Sequence, residues 1–577
     1  MQPVMERTWS LKEYDAATLQ ALLAGGDISP LVARLLCVRG INSREEMKQF
    51  LSPSLADMGD PFLLKGMAEA VERLAIAKKR GETICIHGDY DVDGVTSVAL
   101  LLTFLQGVGF PAVYVIPLRL EEGYGLSTDG VDEAVRLGAS VLITVDCGIT
   151  SLKEAAYCRE MGIDLIVTDH HTPGENLPEA LAVINPLQPG CSAPFRQLAG
   201  VGLAFKLAIA LRSRLRADGC FASGDEPNLR EYLDLAALGT IADLVPLRGE
   251  NRIIAAFGLK ELTASSRTGI RALKKVAAVN DPVGCGDVGF RLAPRLNAAG
   301  RLDDAKRGVE LLLSSDPNEA AIIAAELDAA NRERQEIEKE ILADALARAK
   351  SSAMTGRSAI VMASDNWHPG VIGIVASRVV EAFHRPVILI SLQDGVGKGS
   401  GRSIPALHLY DAIAACSEHL LKFGGHKQAA GLTVDETTLE AFIDLFDEVV
   451  AGQLTEEDLT PVLQIDAELS PEEITPALVG LVAPLRPFGM GNPEPLFMLR
   501  GARVVQSRVL KDAHLKLRVE AGGRHFEAIG FGMAAKGIDA GVVDIAFVPE
   551  LNVWNGRESL QLRLKDMRRS GVEHGAR

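Results

Sequence analysis

The sequence predicts an α/β protein: a parallel-sheet domain, a long connecting helix, a second, smaller α/β domain and a C-terminal β-barrel of the OB kind. Three observations carry that prediction. Short apolar runs at Thr83–Ile86, Ser140–Val145 and Asp164–Thr168 alternate with helix-like stretches at 94–106, 128–137 and 152–161, the rhythm of a parallel sheet with crossover helices. Asp316-Pro317 supplies an N-cap and first-turn proline for a pattern that stays helical to about Lys350. Beyond Phe497 the texture changes to alternating strands at 504–510, 514–519, 525–531, 542–548 and 560–564, separated by Gly-containing turns.

Residues 1–80 mix helix-like pieces (15–23, 31–39, 43–50 and 67–79) with Pro and Gly breaks, and are expected to form a helical lead-in without chemistry of its own. The first apolar run then empties into Cys85-Ile86-His87-Gly88-Asp89-Tyr90-Asp91-Val92-Asp93-Gly94. Three carboxylates so close together repel, and at a strand exit they lose much of their hydration, so the cluster is costly unless a cation sits among it. The second run ends in Asp146-Cys147-Gly148 and the third in Asp169-His170-His171. In a parallel sheet all of these emerge at the carboxyl edge, where such folds bind ligands. Ala182–Pro186 is expected to be another strand and turn, followed by helices at 200–215 and 231–241. Asp243, a lone acid inside an apolar run, is either a helix cap or a ligand.

Composition sets the class. With 577 residues, 47% hydrophobic and 24% charged, the chain is globular and long enough for several domains. No apolar run approaches the roughly 18 residues needed to span a bilayer, and Met1–Tyr14 lacks a signal-peptide core, so a cytoplasmic protein is expected. The eight cysteines include no CxxC pair, which removes zinc knuckles and disulfide frameworks; Cys85 and Cys147 are expected to be buried hydrophobes. Net charge is −16, yet residues 500–577 hold 14 Lys and Arg against 9 Asp and Glu. An acidic centre joined to a basic tail suits an enzyme that grips a phosphate chain in one place and cuts it in another.

Phe290–Arg301 holds three arginines and no acid, and is expected to be a basic loop; arginine is well shaped for bidentate phosphate contact. The helix after it would span on the order of 50 Å, and its polar middle, Asn331–Glu336, suits a solvent-exposed rod. In the second domain, strands at 358–363 and 386–390 surround a helix at 371–383. Two Gly-rich pieces, Gly395–Ser403 and Phe423–Gly431, are either phosphate-contacting backbone or turns. The first is no P-loop, because Leu392 replaces its leading glycine and Gly399 follows the lysine. Phe497, Phe526, Phe531 and Trp554 are the barrel's supply of aromatics for stacking on bases.

Taken in order, His87-x3-Asp91-x-Asp93-x3-Ser97, Asp146, Asp169-His170-His171 and Asp243 resemble the four motifs of the DHH phosphoesterase superfamily, and Gly424-Gly425-His426 with Ala429-Ala430-Gly431 resembles the signature of the DHH-associated domain. The likeness spans residues from about 80 to 570, and the layout is similar to the superfamily's single-strand-specific 5′-to-3′ DNA exonucleases. It implies a DHH catalytic domain at 81–315, a connecting helix at 316–352, a DHH-associated substrate-binding domain at 353–456, an OB-like nucleic-acid-binding domain at 457–570 and a tail at 571–577. Carboxylates and imidazoles without thiolates favour Mn²⁺ or Mg²⁺, and a two-ion site needs one bridging carboxylate.

By resemblance Asp146 is that bridge, His87 and Asp91 complete one site, and Asp93, His170 and Asp243 the other. Asp146, His170 and His171 are the catalytic set, with His171 on the scissile phosphate, Asp169 orienting a histidine from behind and Asp89 an extra acid beside them. Ser400, Arg402, Gly425 and His426, with Arg295 or Arg301, would grip the nucleotide backbone. The implied substrate is single-stranded DNA, in repair and recombination, and the implied partners are a single-strand-binding protein and a helicase; no membrane association and a monomer are expected. The alternatives are a relative acting on short oligoribonucleotides or cyclic dinucleotides, which usually lacks the lead-in and barrel, and a non-catalytic scaffold, which would have lost acidic motif residues.

Overall fold

The computed structural model describes residues 7–117, 125–222, 224–302, 304–354, 356–537, 540–554 and 556–571. They fall into two compact units, one of residues 48–333 with 485–493, the other of residues 1–47, 334–484 and 494–577. Among the described residues no helix is long and apolar enough to cross a membrane.

The first unit is built on five parallel strands in the order Ala112–Val115, Thr83–Gly88, Ala139–Val145, Asp164–Thr168, Ala182–Ile184. Alternation along each strand divides its side chains between two cores. Ile84, Ile86, Ile143 and Ile166 face helices Met67–Arg80, Val92–Gly107 and Gly200–Ala217, while Cys85, Leu142 and Val167 face helices Thr128–Arg136 and Leu152–Glu160. The expected basic loop is helical: a π-turn at Val288–Leu292 runs into helix Ala293–Leu302, because Pro294 in a first turn costs no helical hydrogen bond. A late segment also belongs here. Arg252, 2% exposed, donates to the carbonyls of Leu485 (3.2 Å) and Arg486 (2.7 Å), and the Leu247 amide donates to the Met490 carbonyl at 2.8 Å.

The long helix runs Pro317–Met354, its start held by the Asn318 amide donating to Asp316. Its first half seats Ala320, Ile323 and Leu327 in the core of the first unit, its second half Ile341, Ala345 and Ala349 in a core of the second. The polar middle is largely exposed, as expected: Arg332, Glu333, Gln335 and Glu336 face solvent, while helical periodicity turns Asn331 and Arg334 inward.

In the second unit the two Gly-rich pieces combine hairpin turns at 394–395 and 426–428 with the strands those turns join. They form strands Val396–Arg402, Leu420–Gly425 and Ala429–Asp435 of a five-stranded sheet completed by Val387–Gln393 and Ile360–Ser364. Glycine makes room for large neighbours there: a Cβ on Gly397 would lie 2.7 Å from Ile390, and one on Gly399 2.7 Å from Leu432. Strands Phe497–Leu510, His514–Ala521, Arg524–Gly530, Arg557–Arg569 and Gly541–Trp554 pair in that order, and the last returns to the first to close the barrel. The lead-in is not purely helical. It opens with strand Thr8–Leu11, which pairs in parallel with Val462–Ile465 and anchors Trp9 Nε1 on Asp566 at 2.9 Å. Residues 572–577 of the tail and the Trp554 side chain lie outside the described residues.

Candidate metal centre

Three neighbouring strands deliver acids and imidazoles just past their carboxyl ends. After Thr83–Gly88, Asp91 caps helix Val92–Gly107 by accepting from the amides of Asp93 (2.8 Å) and Gly94 (3.2 Å), which turns Asp93 inward. The turn is tight enough that a Cβ on Gly94 would lie 2.4 Å from the Asp89 carbonyl oxygen. Helix Ala293–Leu302 clamps it from outside: Asn297 Oδ1 accepts from the Val92 amide at 3.0 Å, and a Cβ on Gly300 would lie 2.6 Å from the Tyr90 carbonyl oxygen.

Asp146 leaves the second strand with φ 62°, a left-handed conformation that aspartate tolerates better than most residues. After the third strand, Asp169 accepts from the Ile149 amide at 2.9 Å and faces His171 Nδ1 at 2.7 Å, so it holds that ring in place. His170 Nε2 lies 3.1 Å from Asp146, 3.7 Å from Asp243 and 3.9 Å from Asp93. Asp243 ends helix Leu233–Ala242 at its carboxyl end, where the helix dipole disfavours an anion, and it caps no following helix. Capping therefore does not account for it.

The electrostatics describe carboxylates raised by burial and by one another. Burial, with Asp91 beside it, pushes Asp93 up to about 7 even though both its oxygens accept amides, from Gly200 (2.6 Å) and Val201 (2.8 Å). Burial, then Asp93 and Asp91, push Asp243 up to about 9, and burial with four neighbouring carboxylates raises Asp146 well above the usual range. Burial lowers His87 and His170 to about 4. His171 is raised, the Asp169 carboxylate outweighing its burial. Among the described residues neither Asp91, Asp93 nor Asp243 pairs with Lys or Arg, and His87 Nε2 and Asp243 Oδ2 are buried without a hydrogen-bond partner.

The donor atoms fit divalent ions. Three groups each lie within 4.8 Å: Asp89, Asp91 and Asp146; Asp93, His170 and Asp243; and Asp146, His170 and His171. Asp146 joins the first group to the histidines. Asp89, expected only as an extra acid, stands in a donor group with Asp91 and Asp146, while His87, the ligand that the family resemblance implies, is placed by the strand it sits on. By strand alternation His87 shares the face of Cys85, and a Cβ on Gly130 would lie 2.8 Å from its Nε2; none of the three groups includes it. Glycines form the wall: a Cβ on Gly200 would stand 2.6 Å from Asp146 Cβ, and one on Gly239 3.0 Å from Asp93 Oδ1.

In the second unit, register gathers the other predicted residues at one end of three strands. Ser400 lies opposite Gly431, Arg402 opposite Ala429 and Gly425 opposite Ala430, with the His426 amide donating to the Ala429 carbonyl at 2.8 Å. Gly425 has φ 144°, and a Cβ there would lie 2.5 Å from the Ala429 carbonyl oxygen. Arg402 Nη1 donates to Ser400 Oγ at 3.2 Å, and a Cβ on Gly373 would stand 2.8 Å from that Oγ. Arg295 is held on Asp328 at 2.9 Å, while Arg301 lies near the end of the helix that clamps the Tyr90 turn. Gly200, Gly239, Gly373 and Asn297 escaped sequence reasoning: a residue that matters by what it leaves room for, or by one distant hydrogen bond, has no local signature.

Comparison with known proteins places these parts. Residues 83–240 match the DHH family N-terminal domain, residues 356–452 the DHHA1 domain and residues 465–566 the RecJ OB domain. The chain is 40% identical over 570 residues to the single-stranded-DNA-specific exonuclease RecJ of Bacillus subtilis, covering 97% of this chain and 70% of that one. It is 42% identical over 554 residues to that of Escherichia coli, covering 93% and 95%. RecJ of Thermus thermophilus, solved with Mn²⁺, matches with a TM-score of 0.84 at 34% identity over 98% of this chain and 79% of that one. Its Mg²⁺ complex matches with a TM-score of 0.77 at 32% identity, covering 98% and 78%. With the motif carboxylates and histidines gathered at one sheet edge and relatives this similar along nearly its whole length, the chain belongs to the RecJ family of DHH proteins.

Proposed function

We propose that this chain is a divalent-metal-dependent exonuclease that hydrolyses the phosphodiester bonds of single-stranded DNA from the 5′ end and releases mononucleotides, in DNA repair and recombination. The observation that carries it is the Asp146 carboxylate, which stands in one donor group with Asp89 and Asp91 and in another with His170 and His171. Bound there, a pair of Mn²⁺ or Mg²⁺ ions supplies Lewis acidity toward a phosphoryl oxygen, a water of lowered pKa and charge for the leaving oxygen.

The protein's own part is to hold and to orient. Asp89, Asp91 and Asp146 would hold one ion, Asp93, His170 and Asp243 the other, and the amides of Gly200 and Val201 fix the Asp93 carboxylate. The lowered His170 keeps its ring neutral and ligating, whereas the raised His171, steadied by Asp169, is assigned to the scissile phosphate. Ser400, Arg402, Gly425 and His426 are assigned to the strand's backbone, which a backbone-rich, Gly-lined surface suits. The match of residues 465–566 to the RecJ OB domain favours a long strand over a dinucleotide as substrate. By the same family likeness a single-strand-binding protein and a helicase are its proposed partners, and a cytoplasmic monomer its proposed state.

End-labelled single and double strands of DNA and RNA, each incubated with Mn²⁺, Mg²⁺ or chelator, test this. Metal-dependent release of the 5′ label as mononucleotide from single-stranded DNA is expected. Asp146→Asn should lower that rate by about a thousandfold or more while single-strand binding persists; metal-dependent cleavage at the original rate would overturn the assignment.

A further inference from the structure

Leu244 immediately follows Asp243, and two of its properties are unusual together. Its side chain is 62% exposed, and its φ of 61° lies in the left-handed region. Leucine has no short polar group to bond back to the chain there, and such strain persists where the surroundings over-determine it. Here they do. The Asp243 amide donates to the Gly239 carbonyl at 2.9 Å, the Leu247 amide to the Met490 carbonyl at 2.8 Å, and the Pro246 carbonyl accepts from Asn251 at 3.1 Å. A Cβ on Gly491 would lie 2.8 Å from Pro246 Cβ, so the segment has no slack on that side. The result is a chain that turns Asp243 into the donor group with Asp93 and His170 and turns the next side chain out into solvent.

Consecutive Cα atoms are about 3.8 Å apart, so Leu244 projects its exposed side chain from a point one residue beyond the Asp243 of that donor group. We propose that Leu244 is a substrate-contacting residue, an apolar platform for the nucleobase that flanks the scissile phosphate; the proposal rests on the exonuclease reading above. Every base presents a π-face, so a non-directional apolar contact is indifferent to sequence. In a duplex that face is covered by the neighbouring pair, so the same contact favours an unstacked end.

Glycine adopts a positive φ without strain and asparagine tolerates it, so Leu244→Gly and Leu244→Asn remove the apolar surface without opposing the backbone. Both are expected to keep the wild-type Mn²⁺ affinity by calorimetry and a melting temperature at least as high, yet to raise KM for a 5′-phosphorylated oligothymidylate about tenfold. On strands lacking the base at the terminal or the next nucleotide, the wild type should lose that same factor at one of the two positions and the variants should lose no more. A wild-type KM in L244G, an abasic penalty undiminished in the variants, or weakened Mn²⁺ binding in them would each overturn the proposal. Failure of the wild type itself on every single strand would instead sink the exonuclease reading.

Discussion

The sheet edge of the first unit and the barrel of the second hold charge in opposite ways. In the barrel, acids and bases face one another across strands: Arg518 donates to Glu527 at 2.7 Å with Lys516 beside it at 3.6 Å, Arg563 lies 3.1 Å from Glu550, and Arg503 meets Glu520. At the sheet edge the carboxylates of Asp91, Asp93 and Asp243 are drawn together with no Lys or Arg paired to them among the described residues, and those of Asp93 and Asp243 are pushed up in pKa by burial. Exposed pairs satisfy one another and contribute little, whereas buried, like-charged and uncompensated groups persist where something from outside completes them. The basic surplus of residues 500–577 survives this pairing, since each pair removes one charge of each sign.

The strongest way to break the contrast is to spoil the wall of the acidic centre without touching a donor. Gly200→Ala places a methyl 2.6 Å from Asp146 Cβ, and should weaken Mn²⁺ binding by about tenfold or more by calorimetry. Gly202→Ala, whose Cβ would meet only Leu198 and Ile254 side chains, the nearest at 3.1 Å, should leave that affinity unchanged.

A smaller effect appears with pH. Asp93 and Asp243 have folded values raised to about 7 and about 9, so above the ordinary carboxyl range the folded chain binds more protons than the unfolded one. Their contribution is therefore full at low pH and is lost as pH rises through those values. The metal-free melting temperature should fall by a few degrees between pH 6 and pH 9, and saturating Mn²⁺ should reverse the fall; a metal-free curve flat over that range would remove the contrast. Smallest of all is the barrel's own response. Glu527→Gln should change unfolding free energy by less than about 1 kcal/mol, as measured by denaturant titration, because its partners stay hydrated.

Much of this is legible in the sequence, and the physical reason is periodicity. The strand at Asp164–Thr168 coincides with its apolar run, because an apolar run bounded by a Gly and an Asp-His-His leaves few alternatives. The edge strand Ala112–Val115 escapes sequence reasoning, being short and only partly buried. The arginine-rich segment reads as a loop since composition says nothing of packing, yet Leu292, Leu296 and Ala299 at helical spacing bury one face. At the site, acids that follow strands announce themselves. Asp243 does not, because its neighbours in space lie on other elements and its local sequence is equally suited to a cap. Whether Asp89 or His87 stands beside Asp91 depends on which way one turn bends, and spacing along the chain carries no such information.

The segment Leu485–Pro493 lies just ahead of the barrel in the chain yet packs with the catalytic unit, where it supplies carbonyls to Arg252 and braces Leu247. A shortened enzyme that stops at residue 484 would take two carbonyl acceptors from a buried guanidinium and unhook the arm carrying Asp243. Anyone trimming this protein to its nuclease core should therefore keep that short segment, by fusion if not by continuity, and should suspect any inactive truncation of having lost a strut rather than a DNA grip.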